Sequence, residues 1–176
     1  AGIPCDVGRE DDIRALADFA IQTFGGFDIW VNNAALSAPY GPTMALDSAT
    51  FATVVQTNVM GTYYGSRAAM QHFLARGSGK LVNLLGRGYD GPVPFQNAYG
   101  ATKAWLRSFT KALAKEYRES GVGVYAFSPG MVDTDLLRSP SAIAGYEQKL
   151  NALKVVMRLW ANPPEVPAQK ALWLVS

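Results

Sequence analysis

The chain has 176 residues, enough for one domain with a sizeable core and too few for two ordinary domains and a linker. A composition of 49% hydrophobic residues, with 17 Gly and 10 Pro spread along the chain, excludes disorder and collagen-like repeats. Sixteen Lys and Arg against 14 Asp and Glu leave a net charge of +2 with no basic stripe to track phosphates, so nucleic acid is not an expected partner.

After the extended stretch Gly2 to Val7, residues Arg9 to Phe24 carry apolar side chains at Ile13, Leu16, Ala17, Ala20, Ile21 and Phe24. These spacings of three and four predict an amphipathic helix, stopped by Gly25-Gly26. Phe27 to Val31 is a short apolar run that reads as a buried strand entering a loop at Asn32-Asn33. Past Ser37, Pro39, Gly41 and Pro42, a helical pattern runs from about Leu46 to Arg76, with Asp47 or Ser48 as its cap. A second strand is expected at Lys80 to Leu85, followed by a Gly- and Pro-rich loop from Gly86 to Phe95. A long helix from Asn97 to Ser120 and a third strand from Val122 to Phe127 come next. Two more helices, Asp133 to Asn162 and Pro164 to Val175, are separated by Asn162-Pro163-Pro164.

Strands apolar on both faces, alternating with helices, predict the α/β class: a doubly wound parallel sheet with helices on both faces. In such sheets chemistry lies past the carboxyl ends of the strands, here Asn32 to Leu36, Leu85 to Phe95, and Ser128 to Asp135. On the helix that follows the second of these stretches, Tyr99 and Lys103 are four residues apart and project from one face. A phenol is a poor acid-base group at neutral pH, and a neighbouring ammonium stabilises its phenolate. On spacing alone the pair equally suits two surface residues of an amphipathic helix; its place after a strand and its loop favours a site.

Five motifs in order, Asp6-Val7, Asn32-Asn33-Ala34-Ala35, Asn58 within Thr57 to Gly61, Tyr99-x-x-x-Lys103 and Pro129-Gly130-x-Val132-x-Thr134, resemble the short-chain dehydrogenases/reductases over essentially the whole chain. The resemblance implies a Rossmann-type fold binding NAD or NADP and transferring hydride between that cofactor and an alcohol or carbonyl. It implies Tyr99 as the acid-base residue, and Lys103 bonded to the nicotinamide ribose while lowering the pKa of Tyr99. Asn58 would hold a water behind Lys103. Asp6 and Val7 resemble the adenine contacts, Asn33, Ala34 and Ala35 the turn lining the cofactor, and Pro129, Gly130, Val132 and Thr134 the stretch that cradles carboxamide and phosphate. Family members associate through the helices that would hold Asn58 and Tyr99, so a homo-oligomer is expected, and the apolar stripes on those helices (Val54, Val55, Tyr63, Tyr64, Phe73; Trp105, Phe109, Leu113) suit it.

Three departures accompany the resemblance. Ala35 stands where the family's turn has glycine, adding a methyl near the cofactor. The strand that the family ends in Asn-Ile-Ser-Ser reads Asn83-Leu84-Leu85-Gly86, so the hydroxyl that meets the substrate oxygen is missing; one lost oxyanion donor costs about 10²–10³ in rate. Arg87, Tyr89 and Gln96 are the nearby polar candidates to replace it. No G-x-x-x-G-x-G occurs, so residues 1–176 are read as one domain lacking its N-terminal glycine-rich region and its last strand. In the strand order 3-2-1-4-5-6 the run at Phe27 to Val31 would then be an apolar edge.

The remaining candidates read as structural. With one cysteine, Cys5, and one histidine, His72, neither a disulfide nor a His/Cys metal site can be assembled, and no metal is expected. Cys5 reads as a buried small residue and His72 as a solvated helical one. Asp133 and Asp135 read as helix-capping acids rather than metal ligands. The tryptophans Trp30, Trp105, Trp160 and Trp173 read as core or interface anchors, with lining of the substrate pocket as the alternative for Trp160, together with Leu153 and Met157. Lack of an apolar run of about 18 residues or of a signal-peptide pattern suggests a cytoplasmic protein without a membrane partner. The competing function is a dinucleotide-binding sensor or scaffold with weak or no catalysis, motivated by Gly86.

Overall fold

The computed structural model describes the backbone of residues 1–176, and all side chains except those of residues 152–154 and 156–158, which include Leu153 and Met157. The elements run α1 (Glu10–Phe24), β1 (Ile29–Asn32), a short 3₁₀ turn (Thr43–Ala45), α2 (Ser48–Val55), a π-helical turn (Gln56–Met60) and α3 (Gly61–Arg76). Then follow β2 (Gly79–Leu84), α4 (Asn97–Glu116), β3 (Val122–Phe127), α5 (Asp135–Arg138), α6 (Glu147–Trp160) and α7 (Glu165–Val175).

The three strands form a parallel sheet in the order β1-β2-β3, and the chain crosses between neighbours by way of α2–α3 and α4. Side-chain alternation along β2 sends its residues to opposite faces. Leu81 and Asn83, both without exposed surface, meet α3 and α4. Lys80 points the other way, where its ammonium donates to the Val175 carbonyl at 2.6 Å and so brings the end of α7 to that side. The centre of the core is Ala69, Met70 and Phe73 of α3 against Leu81 and Val122, closed by half-buried Phe27, Trp30 and Leu113. His72 is less solvated than expected: its ring stacks on Phe27 at 4.2 Å, and Nε2 accepts from the Phe27 N–H.

α1 starts at Glu10, with three acids in its first turn favouring the helix dipole, and it ends at Gly25, whose φ of 80° is the left-handed cap that glycine adopts without strain. Asp47 caps α2: its carboxylate accepts from the Thr50 N–H at 2.8 Å and from the Thr50 hydroxyl at 2.7 Å. These bonds hold the Asp47 carboxyl below the usual carboxylate range. A depressed pKa contributes stability above the unfolded value that is lost as pH falls through the folded one. Asp47→Ala is therefore expected to lower the melting temperature at neutral pH, and the difference from wild type to vanish in acid; thermal melts at the two pH values check it.

Three expectations need correction. The single helix from Leu46 to Arg76 is broken by the π-helical turn at Gln56–Met60, which carries the buried Asn58. The helix expected to reach Ser120 stops at Glu116, because the Ser120 hydroxyl donates to the Tyr117 carbonyl and accepts from the Val122 N–H, starting a turn instead. The helix expected from Asp133 to Asn162 is two helices, α5 and α6. Pro140 removes an N–H and disfavours helical geometry before it, Ala142 pairs with Tyr40, and Gly145 takes a φ of 84°. β1 lies at the sheet edge as expected, with Ile29 42% and Val31 51% exposed.

Candidate functional site

The parallel register places Asn32 beside Asn83 and Asn83 beside Ala126, so the loops that follow the three strands leave the sheet along one edge. Beneath that edge runs a buried amide network. Asn32 Oδ1 accepts from the Trp30 indole at 2.9 Å, and its Nδ2 donates to Asn83 Oδ1 at 2.8 Å and to Ser66 Oγ at 3.1 Å. Asn83 Nδ2 in turn donates to the Thr110 hydroxyl of α4 at 3.0 Å. Sheet, α3 and α4 are thereby held in fixed relation just below the loops. Asn32 and Asn83 were legible as strand ends, but nothing in the sequence marks them as partners.

Tyr99 and Lys103 sit one turn apart on α4, facing this edge. Lys103 is 3% exposed, and its only hydrogen bond among the described residues is donated to the Leu84 carbonyl at 2.9 Å. An ammonium has three donors, so two remain uncommitted. Burial pulls its pKa down to about 8. No hydrogen bond among the described residues engages the Tyr99 hydroxyl, and burial pushes the phenol up to about 12. The ammonium stands 5.5 Å from the phenol ring centroid and turns to the Leu84 carbonyl, so desolvation governs both groups.

Asn58, 1% exposed, uses its Oδ1 to accept from the Leu36 N–H at 2.8 Å and its Nδ2 to donate to the Leu36 carbonyl at 2.9 Å and to Thr102 Oγ1 at 3.0 Å. Thr102 Oγ1 donates to the Tyr99 carbonyl at 2.6 Å. The side chain thus pins the loop after β1 to the turn of α4 that carries Tyr99, and a lone pair of Oδ1 is its only remaining capacity for a water. A π-helical turn at this point suits the task, since such insertions recur at functional sites.

The other expected residues spread around the same edge. Val7, Asn33 and Ala34 line a cavity of about 340 Å³ between α1 and β1, together with Gly61 and Thr62 at the start of α3. The cavity's far end is apolar, formed by Ile13, Leu16, Phe27 and Ile29, and does not reach Tyr99 or Lys103. Ala35 is half-buried beside it, and Asp6 is exposed, with its carboxylate accepting from the Gly8 N–H at 2.9 Å. Pro129, Gly130, Val132 and Thr134 follow β3; Gly130 takes a φ of 75°, Val132 pairs with Asn162, and Thr134 is exposed. Asp133 is engaged by Arg138 at 2.8 and 3.0 Å, which holds its carboxyl below the usual range, so it caps no helix. Cys5 is half-buried and its thiol is raised by that burial and by Asp12 and Asp6, against thiolate reactivity.

Of the polar candidates around Gly86, Tyr89 lies under the Arg107 guanidinium, 5.5 Å from its ring, and Arg87 is exposed. Gln96 precedes α4 without a side-chain cap bond. Trp160 and Trp173 are 73% and 79% exposed, so neither is a core anchor here. Sequence reasoning passed over Phe95, which adopts a φ of 66°, a left-handed value uncommon for a bulky residue. Its ring packs between Tyr40 and Tyr146, and its carbonyl accepts from the Gly41 N–H, tying together the loops after β1, β2 and β3. No local pattern signals such a contact.

A parallel sheet with a basic–phenolic pair and amide-anchored loops at its carboxyl edge defines an α/β protein of the dinucleotide-binding kind. The model of the family described as enoyl-(acyl carrier protein) reductase matches residues 1–176. A 3β-hydroxysteroid dehydrogenase of Eggerthella lenta is 33% identical over 177 residues, covering 100% of this chain and 67% of that protein. A probable chlorophyll(ide) b reductase of Oryza sativa is 39% identical over 146 residues, 81% of this chain, and the chain spans only 29% of its length. The crystal structure of a 3-ketoacyl-(acyl-carrier-protein) reductase from Brucella melitensis complexed with NADH superimposes with a TM-score of 0.85 at 29% identity, over 99% of this chain and 70% of that one. Another solved neighbour holds NADP. The chain belongs to the short-chain dehydrogenase/reductase family.

Proposed function

We propose that the protein is an NAD(P)-dependent oxidoreductase interconverting an alcohol and a carbonyl, with Tyr99 as acid-base residue supported by Lys103 and Asn58. The observation that carries this reading is Lys103: an ammonium 3% exposed, holding one hydrogen bond among the described residues, one turn from a phenol whose hydroxyl has no partner among them. Burial of a charge at that cost makes sense where a ligand supplies the missing acceptors.

The residues fit a nicotinamide dinucleotide. Lys103 has two donors for vicinal hydroxyls of a ribose, Asn33 and Ala34 follow β1, and Pro129, Gly130, Val132 and Thr134 follow β3 on the same carboxyl edge. Asp6 would contact adenine, and Ala35 would complete the turn beside it. When bound, the cofactor supplies or takes up hydride, which no side chain can do. In carbonyl reduction the Tyr99 O–H gives its proton to the substrate oxygen; in alcohol oxidation the phenolate removes it. Lys103 sets its positive charge beside the phenolate. Asn58, through Thr102 and Leu36, fixes the turn of α4 on which Tyr99 rides.

Assay of the full-length protein with NADH and NADPH over a carbonyl panel tests the reading. Cofactor oxidation that depends on a carbonyl is the expected result. Cofactor binding without turnover on any substrate would favour a sensor or scaffold instead.

We further propose self-association through the helices carrying Asn58 and Tyr99. Trp105 and Phe109 of α4 stack at 4.7 Å, Tyr63 of α3 meets Phe109 edge-on, and Phe51, Tyr63 and Trp105 are each more than a third exposed. Trp105→Glu is expected to shift the protein toward monomer in analytical ultracentrifugation; an unchanged sedimentation coefficient would remove this surface from the interface. No helix among the described residues is long and apolar enough to cross a membrane.

A further inference from the structure

The geometry points to Gly86 as the positioning residue for Tyr99: because it has no Cβ, the phenol leans into the space beside the turn after β2 and places its hydroxyl where a side chain at this position would stand. The inference rests on the acid-base reading of Tyr99 and adds what sets the phenol's place.

A Cβ built on Gly86 would overlap the Tyr99 hydroxyl, and would lie 3.1 Å from Tyr99 Cζ and 3.3 Å from Lys103 Cε. The backbone does not demand glycine here, since Gly86 is absent from the positive-φ residues, unlike Gly88 at 101°. Its smallness therefore serves space rather than conformation. Nor can the turn yield to relieve an added methyl. On one side the Leu85 N–H donates to the Phe127 carbonyl at 2.8 Å, continuing the sheet up to the turn. On the other, Gly88 packs so closely on α4 that its own Cβ would come within 2.5 Å of the Gly100 Cα. Between them the Gly86 carbonyl accepts from the Tyr89 N–H at 3.2 Å. The turn is thus held on both sides, and the phenol, the end of a rotatable side chain, yields at less cost than the backbone does.

This reverses the expectation for the serine that the family carries here. On the sequence, Gly86 is a lost hydroxyl whose restoration would raise the rate. In the folded chain the space for that side chain is already taken by the hydroxyl of Tyr99, so Gly86→Ser displaces the acid-base group as well as adding a donor. Displacement of a reacting group by about 1 Å is enough to cost on the order of 10²-fold in rate.

The test compares Gly86→Ala, Gly86→Ser and Tyr99→Phe, singly and with the first two combined with the third. Tyrosine labelled with ¹³C at Cζ, its Tyr99 signal assigned by Tyr99→Phe, reports the phenol in the cofactor-free protein. Gly86→Ala is expected to shift the Tyr99 signal, to bring its ionisation down toward that of an ordinary phenol, and to lower kcat by on the order of 10²-fold with little change in the KM for cofactor. Its destabilisation, read as a shift in denaturation midpoint, is expected to shrink in the Tyr99→Phe background, where the overlapping oxygen is gone. An unmoved Tyr99 resonance in Gly86→Ala, or a Gly86→Ala turnover equal to wild type, overturns the inference. If instead Tyr99→Phe leaves turnover intact, the acid-base reading fails, while the resonance still decides whether Gly86 positions the ring.

Discussion

Tyr99→Phe is expected to cut turnover by about 10²–10⁴-fold, the usual contribution of a positioned general acid or base, while leaving the fold and the melting temperature close to wild type. The second half of that expectation comes from the structure. The hydroxyl removed has no hydrogen bond among the described residues, so its loss strands no buried partner. Steady-state kinetics beside a thermal melt separates this outcome from a folding defect. A rate within a factor of two or so of wild type would move the proton transfer to another group.

The pH response follows from the two buried groups. Lys103 is depressed to about 8, so between about 8 and its unfolded value near 10.5 the folded chain binds fewer protons than the unfolded one and stability rises with pH. Tyr99 is raised to about 12, so above its unfolded value near 10 the folded chain retains a proton that the unfolded one releases, and stability falls. In denaturation of the cofactor-free protein, Lys103→Met is expected to abolish the rise, and Tyr99→Phe to soften the fall.

Asn83→Leu is expected to destabilise the protein by about 3 kcal/mol. Asn83 has no exposed surface and joins Asn32 of β1, Ser66 of α3 and Thr110 of α4 through one amide. Leucine of similar size fills the space but removes the donor to the Thr110 oxygen, the acceptor facing the Ser66 hydroxyl and one of three acceptors around the Asn32 amide, which keeps Ser66 Oγ and the Thr62 carbonyl; buried hydrogen bonds broken from one side cost about 1–3 kcal/mol each. Because Asn32 begins the loop that carries Asn33, Ala34 and Ala35, the variant is also expected to weaken dinucleotide binding. Chemical denaturation with cofactor titration of the same variant checks both. A stability loss below about 0.5 kcal/mol would show the network to be dispensable.

Much of the fold was legible along the chain. Apolar runs at Phe27 to Val31, Lys80 to Leu85 and Val122 to Phe127 named the strands; the central β2 is buried along Leu81 to Asn83, whereas β1, read as a buried strand, leaves Ile29 and Val31 exposed at the sheet edge. Spacings of three and four named α1, and of the two caps offered for the helix from Leu46, Asp47 or Ser48, the structure takes Asp47. Pro140, Ser120 and the π-helical turn at Asn58 broke the expected helices because each break answers to a partner distant in sequence or to a competing local bond.

For the candidate site the division is sharper. Motif order, through the family resemblance it carries, pointed to Tyr99, Lys103 and Asn58 as a set and to Gly86 at the position where that family has a serine. Tertiary structure decided what those groups touch: Lys103 turned to Leu84, Asn58 committed to Leu36 and Thr102, Phe95 wedged between Tyr40 and Tyr146, and the Tyr99 hydroxyl filling the space above Gly86. The physical reason is that hydrogen-bond direction and excluded volume depend on distances between segments tens of residues apart, which no local pattern encodes.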